Sequence, residues 1–295
     1  MVLIDGKKVS DEIKAQLTEK VKSKKDETGK VPGLVTIIVG DNPASLSYVS
    51  MKGKACNTIG MYSVLEKHES SISEEDLLNI VNKYNNDTNI HGILVQLPLP
   101  KHINEDRIIE AITPEKDVDG FHPVNMGNLV IGKDAFYPCT PFGILELIKS
   151  YNIETKGKHC VVVGRSNIVG KPIANIMLQK KEGANCVVTI CHSAAKDLSV
   201  YTKSADILIA AIGSPNFIKG DMVKDSVVII DVGINRVEDL TLAKGYRIVG
   251  DVDFETVSPK SSFITPVPGG VGPMTIAMLM KNTFKAFCRI NNLSE

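Results

Sequence analysis

The chain has 295 residues, enough for two domains of ordinary size with ample core. Hydrophobic residues make up 43% of it, which suits a globular protein and excludes a disordered one. Lysine plus arginine and aspartate plus glutamate both number 34, so no bulk field favours nucleic acid or an anionic membrane.

Short Val/Ile-rich runs alternate with helical patterns, as in βαβ units around a parallel sheet. Residues 9–21 predict an amphipathic helix with Ser10 as its N-cap. Residues 34–39 predict a buried strand ended by Gly40, and residues 45–59 a second helix. Ser73 with Asp76 approximates a capping box for a helix over 73–84. A strand over 92–97 is stopped by Pro98 and Pro100, a short helix covers 104–111, and 114–123 is irregular. Residues 127–141 read as loop and 142–151 as helix. Then come strand 160–163, helix 171–181 and strands 186–191, 206–212, 226–231 and 247–250, an order of the Rossmann kind. A Pro-Gly-rich loop over 266–273 precedes a last amphipathic helix, 274–287. The expected fold is α/β with two domains: an N-terminal α/β catalytic domain, residues 1–120, completed by the terminal helix at 274–295, and a doubly wound parallel-sheet dinucleotide domain, 121–273, with a cleft between them.

Strand 160–163 breaks into Gly164-Arg165-Ser166-Asn167-Ile168-Val169-Gly170 and restarts as a helix. Such a turn predicts unpaired N–H groups and a positive dipole end that suit a pyrophosphate. Serine stands where GxGxxG has its middle glycine, and the last glycine lies one place late. An NAD site places an acid at the end of the second strand to bind the ribose hydroxyls. Here strand 186–191 ends in His192-Ser193, with no carboxylate until Asp197, while Glu182 precedes the strand. Arg165 and Ser193 instead supply a cation and a hydroxyl for a 2′-phosphate, so NADP is the expected cofactor. For each the plainer alternative stays open, a solvated turn residue and the N-cap of the next helix. Gly213 and Ile234 follow later strands at their carboxyl ends, where ligands bind in open α/β sheets, and Ile234 can offer backbone groups and an apolar contact to a nicotinamide. The predicted cofactor set is Gly164, Arg165, Ser166, Ser193, Gly213 and Ile234.

In the other domain Tyr48 and Lys52 lie four apart on one helix face, Gln96 lies at a strand end, and Asp119 sits in an irregular stretch. Singly, Lys52 reads as a solvated helix lysine, Tyr48 as a half-buried aromatic and Asp119 as a turn former before glycine. Together they sit in longer segments: Tyr-Val-Ser-Met-Lys at 48–52, His-Gly-Ile-Leu-Val-Gln-Leu-Pro-Leu-Pro at 91–100 and Lys-Asp-Val-Asp-Gly-Phe-His at 116–122. Pro-Cys-Thr-Pro at 138–141, Gly-Arg-Ser-Asn-Ile-Val-Gly-Lys-Pro at 164–172 and Pro-Gly-Gly-Val-Gly-Pro-Met-Thr at 268–275 continue the pattern. With these the chain resembles the bifunctional methylenetetrahydrofolate dehydrogenase/cyclohydrolases (the FolD family), whose form of the glycine turn is the irregular one.

The resemblance implies NADP-dependent oxidation of 5,10-methylenetetrahydrofolate to the methenyl form, then its hydrolysis to 10-formyltetrahydrofolate. It implies Lys52 as the central catalytic residue, hydrogen-bonded and positioned by Gln96. Tyr48 would stack on the p-aminobenzoyl group, Asp119 would bind the pterin, and Gly272 and Pro273 would line the pterin side. It also implies a homodimer formed through the Rossmann domains. Two other readings remain: a shikimate-type NADP dehydrogenase, which leaves Tyr48 and Gln96 unexplained, and a non-catalytic NADP-binding protein.

The six cysteines have neither CxxC nor zinc-ligand spacing, so no metal is expected and the thiols read as reduced, buried hydrophobes; Cys139 also reads as packing. No apolar stretch reaches the roughly 18 residues of a membrane helix, and the N-terminus does not fit a signal peptide. A reducing cytoplasm is the expected compartment, with no membrane or nucleic-acid partner.

Overall fold

A computed structural model describes all residues other than Ala243, together with every side chain but that of Ala44. The order is β1 (Val2–Leu3), α1 (Gly6–Thr28), β2 (Gly33–Val39), α2 (Pro43–Ile59), β3 (Tyr62–His68), α3 (Glu74–Asn86), β4 (Gly92–Val95), α4 (Glu105–Ala111), α5 (Pro123–Val130) and α6 (Cys139–Ser150). It continues with β5 (His159–Val163), α7 (Gly170–Met177), β6 (Val187–Cys191), α8 (Ser199–Thr202), β7 (Ile207–Ala210) and β8 (Val227–Asp231). The last elements are β9 (Asn235–Glu238), β10 (Tyr246–Val249), α9 (Phe254–Val257), β11 (Ser261–Ile264) and α10 (Val271–Ile290). The chain divides into two units, one of residues 1–10 and 140–275 and one of residues 11–139 and 276–295.

The second unit carries a parallel three-stranded sheet ordered β3-β2-β4. Every residue of the central strand β2 is buried, as expected of an apolar run covered on both faces. Val35, Ile37, Ile93 and Val95 pack with Leu77 and Val81 of α3 and Ile108 of α4. Each such side chain contributes about 1.5–3 kcal/mol on burial. Ser73 Oγ accepts from the Asp76 N–H (3.0 Å) and so caps α3. Asn104 likewise caps α4 through the Asp106 and Arg107 N–H groups. The edge strand β3 has no counterpart among the predicted elements, because Tyr-Ser-Val-Leu-Glu-Lys-His contains no apolar run. An edge strand needs only one partner and can leave such side chains exposed.

The first unit carries a parallel six-stranded sheet ordered β1-β11-β8-β7-β5-β6. From β5 the chain turns one way to β6 and then returns past β5 to β7. The order therefore reverses at the carboxyl ends of β5 and β7, where such sheets bind their ligands.

Several expected boundaries move. Helix α1 begins at Gly6, not near Val9, because Ile4 is held in the sheet by Ile264 and Asp5 Oδ1 caps the helix through the Lys8 N–H (3.0 Å). Ser10 is thus no N-cap; it is buried within the helix and donates to the Pro273 carbonyl (3.0 Å). Part of the expected loop from Gly127 is helix α5, which has His122 as N-cap and Pro123 in its first turn. Strand β10 does not join the parallel sheet but forms an antiparallel pair with β9. The sheet is completed instead by β11 and β1.

Candidate functional site

Helix α2 sets Tyr48 and Lys52 one turn apart, and Gln96 follows β4, its N–H still bonded to the Ile37 carbonyl (2.8 Å). Lys52 is 6% exposed, and its Nζ donates to Gln96 Oε1 (2.9 Å). Gln96 Nε2 donates to the Leu97 carbonyl (2.8 Å), which fixes the amide with its oxygen towards the lysine. Nζ also lies 5.5 Å from the centre of the Tyr48 ring. Burial holds the Lys52 ammonium below the usual lysine range, while the negative forms of Asp119 and Cys139 pull it upward. Burial in turn pushes the Asp119 carboxyl up, opposed by Lys52 and reinforced by Asp117. Burial thus opposes the charged form of each group, while each favours the charge of the other. Tyr48, Lys52, Gln96 and Asp119 all belong to one unit.

The Asp119 turn depends on residues the motif reading overlooked. Asp117 accepts backbone N–H bonds from Gly120 (3.1 Å), Phe121 (3.2 Å) and His122 (2.8 Å), and one from the Asn125 amide (2.8 Å). The turn-forming role considered for Asp119 is therefore filled by its neighbour. From α10, the buried Asn282 donates to the carbonyls of Val118 (2.8 Å) and Tyr137 (3.0 Å), and Cys139 Sγ lies 3.4 Å from the same Val118 oxygen. Gly120 has φ +79°, and a side chain there would meet Pro138 N at 2.6 Å, so the turn and the 137–139 segment fit only around glycine. The Asp-x-Asp-Gly spacing marks this turn in sequence; nothing in the sequence points to Asn282.

The dinucleotide turn lies where the sheet order reverses. Gly164 has φ +130°, its N–H donates to the Cys191 carbonyl (2.9 Å), and a Cβ would overlap the Ala211 carbonyl oxygen. A Cβ on Gly170 would overlap the Gly164 carbonyl. Ser166 Oγ accepts from the N–H groups of Val169 (3.2 Å) and Gly170 (3.3 Å). This corrects the expectation of unpaired amides in the turn: three of them already have a partner, and the serine in place of the middle glycine supplies it for two.

Val163 of β5 pairs with Cys191 of β6, so Arg165 and Ser193 each stand two residues beyond a matched pair, and both are exposed. Helix α8 begins only at Ser199, so Ser193 caps no helix. Gly213 follows β7; Ile234 follows β8 and is 55% exposed. Gly272 opens α10 beside Ile234: a Cβ on this glycine would lie 3.6 Å from the isoleucine Cδ1, and Pro273 is the next residue. Gly272 and Pro273 belong to the same unit as the glycine turn, whereas Lys52 belongs to the other.

The family model for the catalytic domain of tetrahydrofolate dehydrogenase/cyclohydrolase matches residues 4–119, and that for its NAD(P)-binding domain matches residues 138–291. The chain belongs to this family. The bifunctional protein FolD of Chloroherpeton thalassium is 62% identical over 289 residues, 97% of this chain and 98% of that one. Its counterpart in Pelodictyon phaeoclathratiforme is 60% identical over 295 residues, 99% and 100% of the two chains. Among solved structures of the family, the Campylobacter jejuni bifunctional enzyme FolD is 51% identical with a TM-score of 0.92, covering 98% of this chain and 99% of that one. The Trypanosoma brucei enzyme, complexed with NADP cofactor and inhibitor, is 38% identical with a TM-score of 0.93 and covers 98% of each chain. A shikimate dehydrogenase from Aquifex aeolicus, 14% identical with a TM-score of 0.51, shares the fold alone.

Proposed function

We propose that this protein oxidises 5,10-methylenetetrahydrofolate with NADP and hydrolyses the resulting 5,10-methenyltetrahydrofolate to 10-formyltetrahydrofolate. The observation that carries the reading is the buried Lys52 bonded to Gln96, beside the Tyr48 ring and within the field of Asp119. When bound, the nicotinamide cofactor supplies the acceptor for the two electrons and hydrogen that leave the methylene carbon. The substrate carbon then shares its positive charge with two nitrogens, and a charged lysine beside it would be repelled. A lysine lowered by burial is neutral more readily, so it takes the proton released as water adds to that carbon. The added hydroxyl then loses its proton to become the formyl carbonyl as the carbon bond to N5 breaks. N5 takes back the proton held by Lys52, and the formyl group stays on N10.

Gln96 is neutral, so it aims Lys52 without locking the ammonium form. The Tyr48 ring offers a face to the p-aminobenzoyl group, and Asp119 an acceptor for the paired N–H groups of the pterin. Gly272 and Pro273 line the pterin side. For the cofactor, Gly164 permits the close turn, Ser166 shapes it, and Arg165 and Ser193 take the 2′-phosphate. Gly213 and Ile234 hold the nicotinamide end.

On this reading residues 11–139 with 276–295 carry the folate chemistry and the six-stranded unit carries the dinucleotide. The protein acts as a homodimer through that unit. Apolar Val187 and Ile190 exposed on edge strand β6, and Leu240 beyond β9, support this. Among the described residues no helix is long and apolar enough to cross a membrane, and the six free, buried cysteines fit a reducing cytoplasm.

The direct test follows methenyltetrahydrofolate absorbance from methylenetetrahydrofolate with NADP and with NAD in parallel. Formation with NADP at a rate at least about tenfold that with NAD is expected from a charge-assisted contact to the 2′-phosphate. No product with either cofactor would refute the enzyme reading, and product with NAD alone would overturn the phosphate assignment.

A further inference from the structure

The segments that follow β7 and β8 carry Gly213 and Ile234, and one carboxylate ties them together. Asp251, two residues beyond β10, is 0% exposed. Its Oδ2 accepts from the N–H groups of Ile212 (2.6 Å) and Gly213 (3.0 Å). Its Oδ1 accepts from the Ser214 N–H (3.0 Å) and the Asn235 amide (2.9 Å). The Asp251 N–H donates to Asp231 Oδ1 (2.9 Å), which also accepts from the Gly233 N–H (2.9 Å), and Asp231 Oδ2 accepts from the Val252 N–H (3.0 Å). A Cβ on Gly233 would overlap Asp251 Oδ1, and one on Gly250 would overlap Asp231 Oδ2. Both glycines let the carboxylates approach the backbone this closely.

A buried carboxylate is costly unless its lone pairs are filled, and an ionised one accepts about four hydrogen bonds, which no amide side chain can match. Asp251 has four donors, three from one backbone turn and one from the segment after β8. Such charge-assisted bonds fix the two segments relative to each other. They also turn the N–H groups of 212–214 inward, so this turn meets a ligand through its carbonyls and carbon surface. That chemistry suits an uncharged or cationic ring with an amide better than a phosphate.

We propose that Asp251 is a positioning residue for the nicotinamide end of the dinucleotide, holding residues 212–214 and 232–235 in one binding surface. The proposal rests on the reading of this unit as the NADP site. It separates from that reading because hydration of methenyltetrahydrofolate consumes no cofactor. Asp251→Asn keeps the shape but turns an N–H₂ group towards backbone donors. Calorimetric titration with NADP is expected to show a Kd raised at least tenfold, with the hydration rate within twofold of the unsubstituted protein. Asn235→Ala, which removes only one donor, is expected to raise the Kd two- to fivefold and serves if Asp251→Asn does not fold. An unchanged Kd in either soluble variant, or parallel loss of NADP binding and hydration in both, would overturn the proposal. Absence of NADP binding by the unsubstituted protein would instead sink the cofactor reading on which it rests.

Discussion

The Lys52 cluster and the glycine turn are built in opposite ways. Around Lys52 the chemistry resides in buried or half-buried side chains, with Nζ already bonded to Gln96 and with Asp119 set in a turn closed by Asp117. At the turn the structure resides in backbone, with Gly164 and Gly170 packed against carbonyls, while Arg165 and Ser193 stand exposed. Proton transfer needs a tuned pKa, and tuning needs burial fixed before the substrate arrives. Anion capture needs a rigid frame and charges free to close on the ligand. One site prepares protonation states; the other prepares shape.

The largest expected effect tests the first half of that contrast. Lys52→Met should lower methenyltetrahydrofolate hydration by about 10²–10⁴-fold, the usual worth of a positioned acid–base group, while leaving measurable dehydrogenase activity. Unchanged hydration in this variant would remove Lys52 from its role. Gly164→Ala tests the second half, because its Cβ would overlap the Ala211 carbonyl at a φ few side chains adopt. Strain of about 1–3 kcal/mol should weaken NADP binding roughly ten- to hundredfold. The hydration rate should persist, and its loss to the same extent would show that the two sites are not separable.

A smaller, pH-dependent effect comes from Gln96→Glu. The neutral amine is the form that accepts a proton, so hydration should rise with pH through the Lys52 pKa, which burial sets below the usual lysine range. A carboxylate at 96 stabilises the ammonium and raises that pKa. The rising limb of the pH–rate profile should move to higher pH. A limb that stays in place, with only its height reduced, would mean that Gln96 does not set the charge of Lys52.

The burial of each element explains which parts of the fold could be read in advance. Strands β2, β5, β7 and β8 are buried along nearly their whole length and therefore appear as apolar runs. Strands β3 and β9 are half exposed and carry charge, and β11 begins with two serines. Helix α5 is tied down by Asn125, which donates to Asp117 and the Pro114 carbonyl, while Pro123, Gly127 and two asparagines within eight residues read as loop. The residues proposed to touch ligands stand in compact motifs; those that brace them, Asn282 and Asp251, are a single amide and a single acid with no local pattern.

By itself the sequence determined the α/β class, the glycine turn at the end of β5, the lack of an acid after β6 and the motif set around Lys52. Each of these is local: an apolar run, a conformation that only glycine tolerates, or residue types at short spacing. Tertiary structure decided that β10 leaves the sheet and β1 enters it, that Ser10 is buried and caps nothing, and that Ser166 fills two amides of the turn. It also decided that Lys52 is buried against Gln96 and that Asp251 joins two distant segments. Apart from the Ser166 bonds, which span three and four residues, these depend on contacts between residues far apart in the chain and on how far each group is removed from water, which no local spacing encodes.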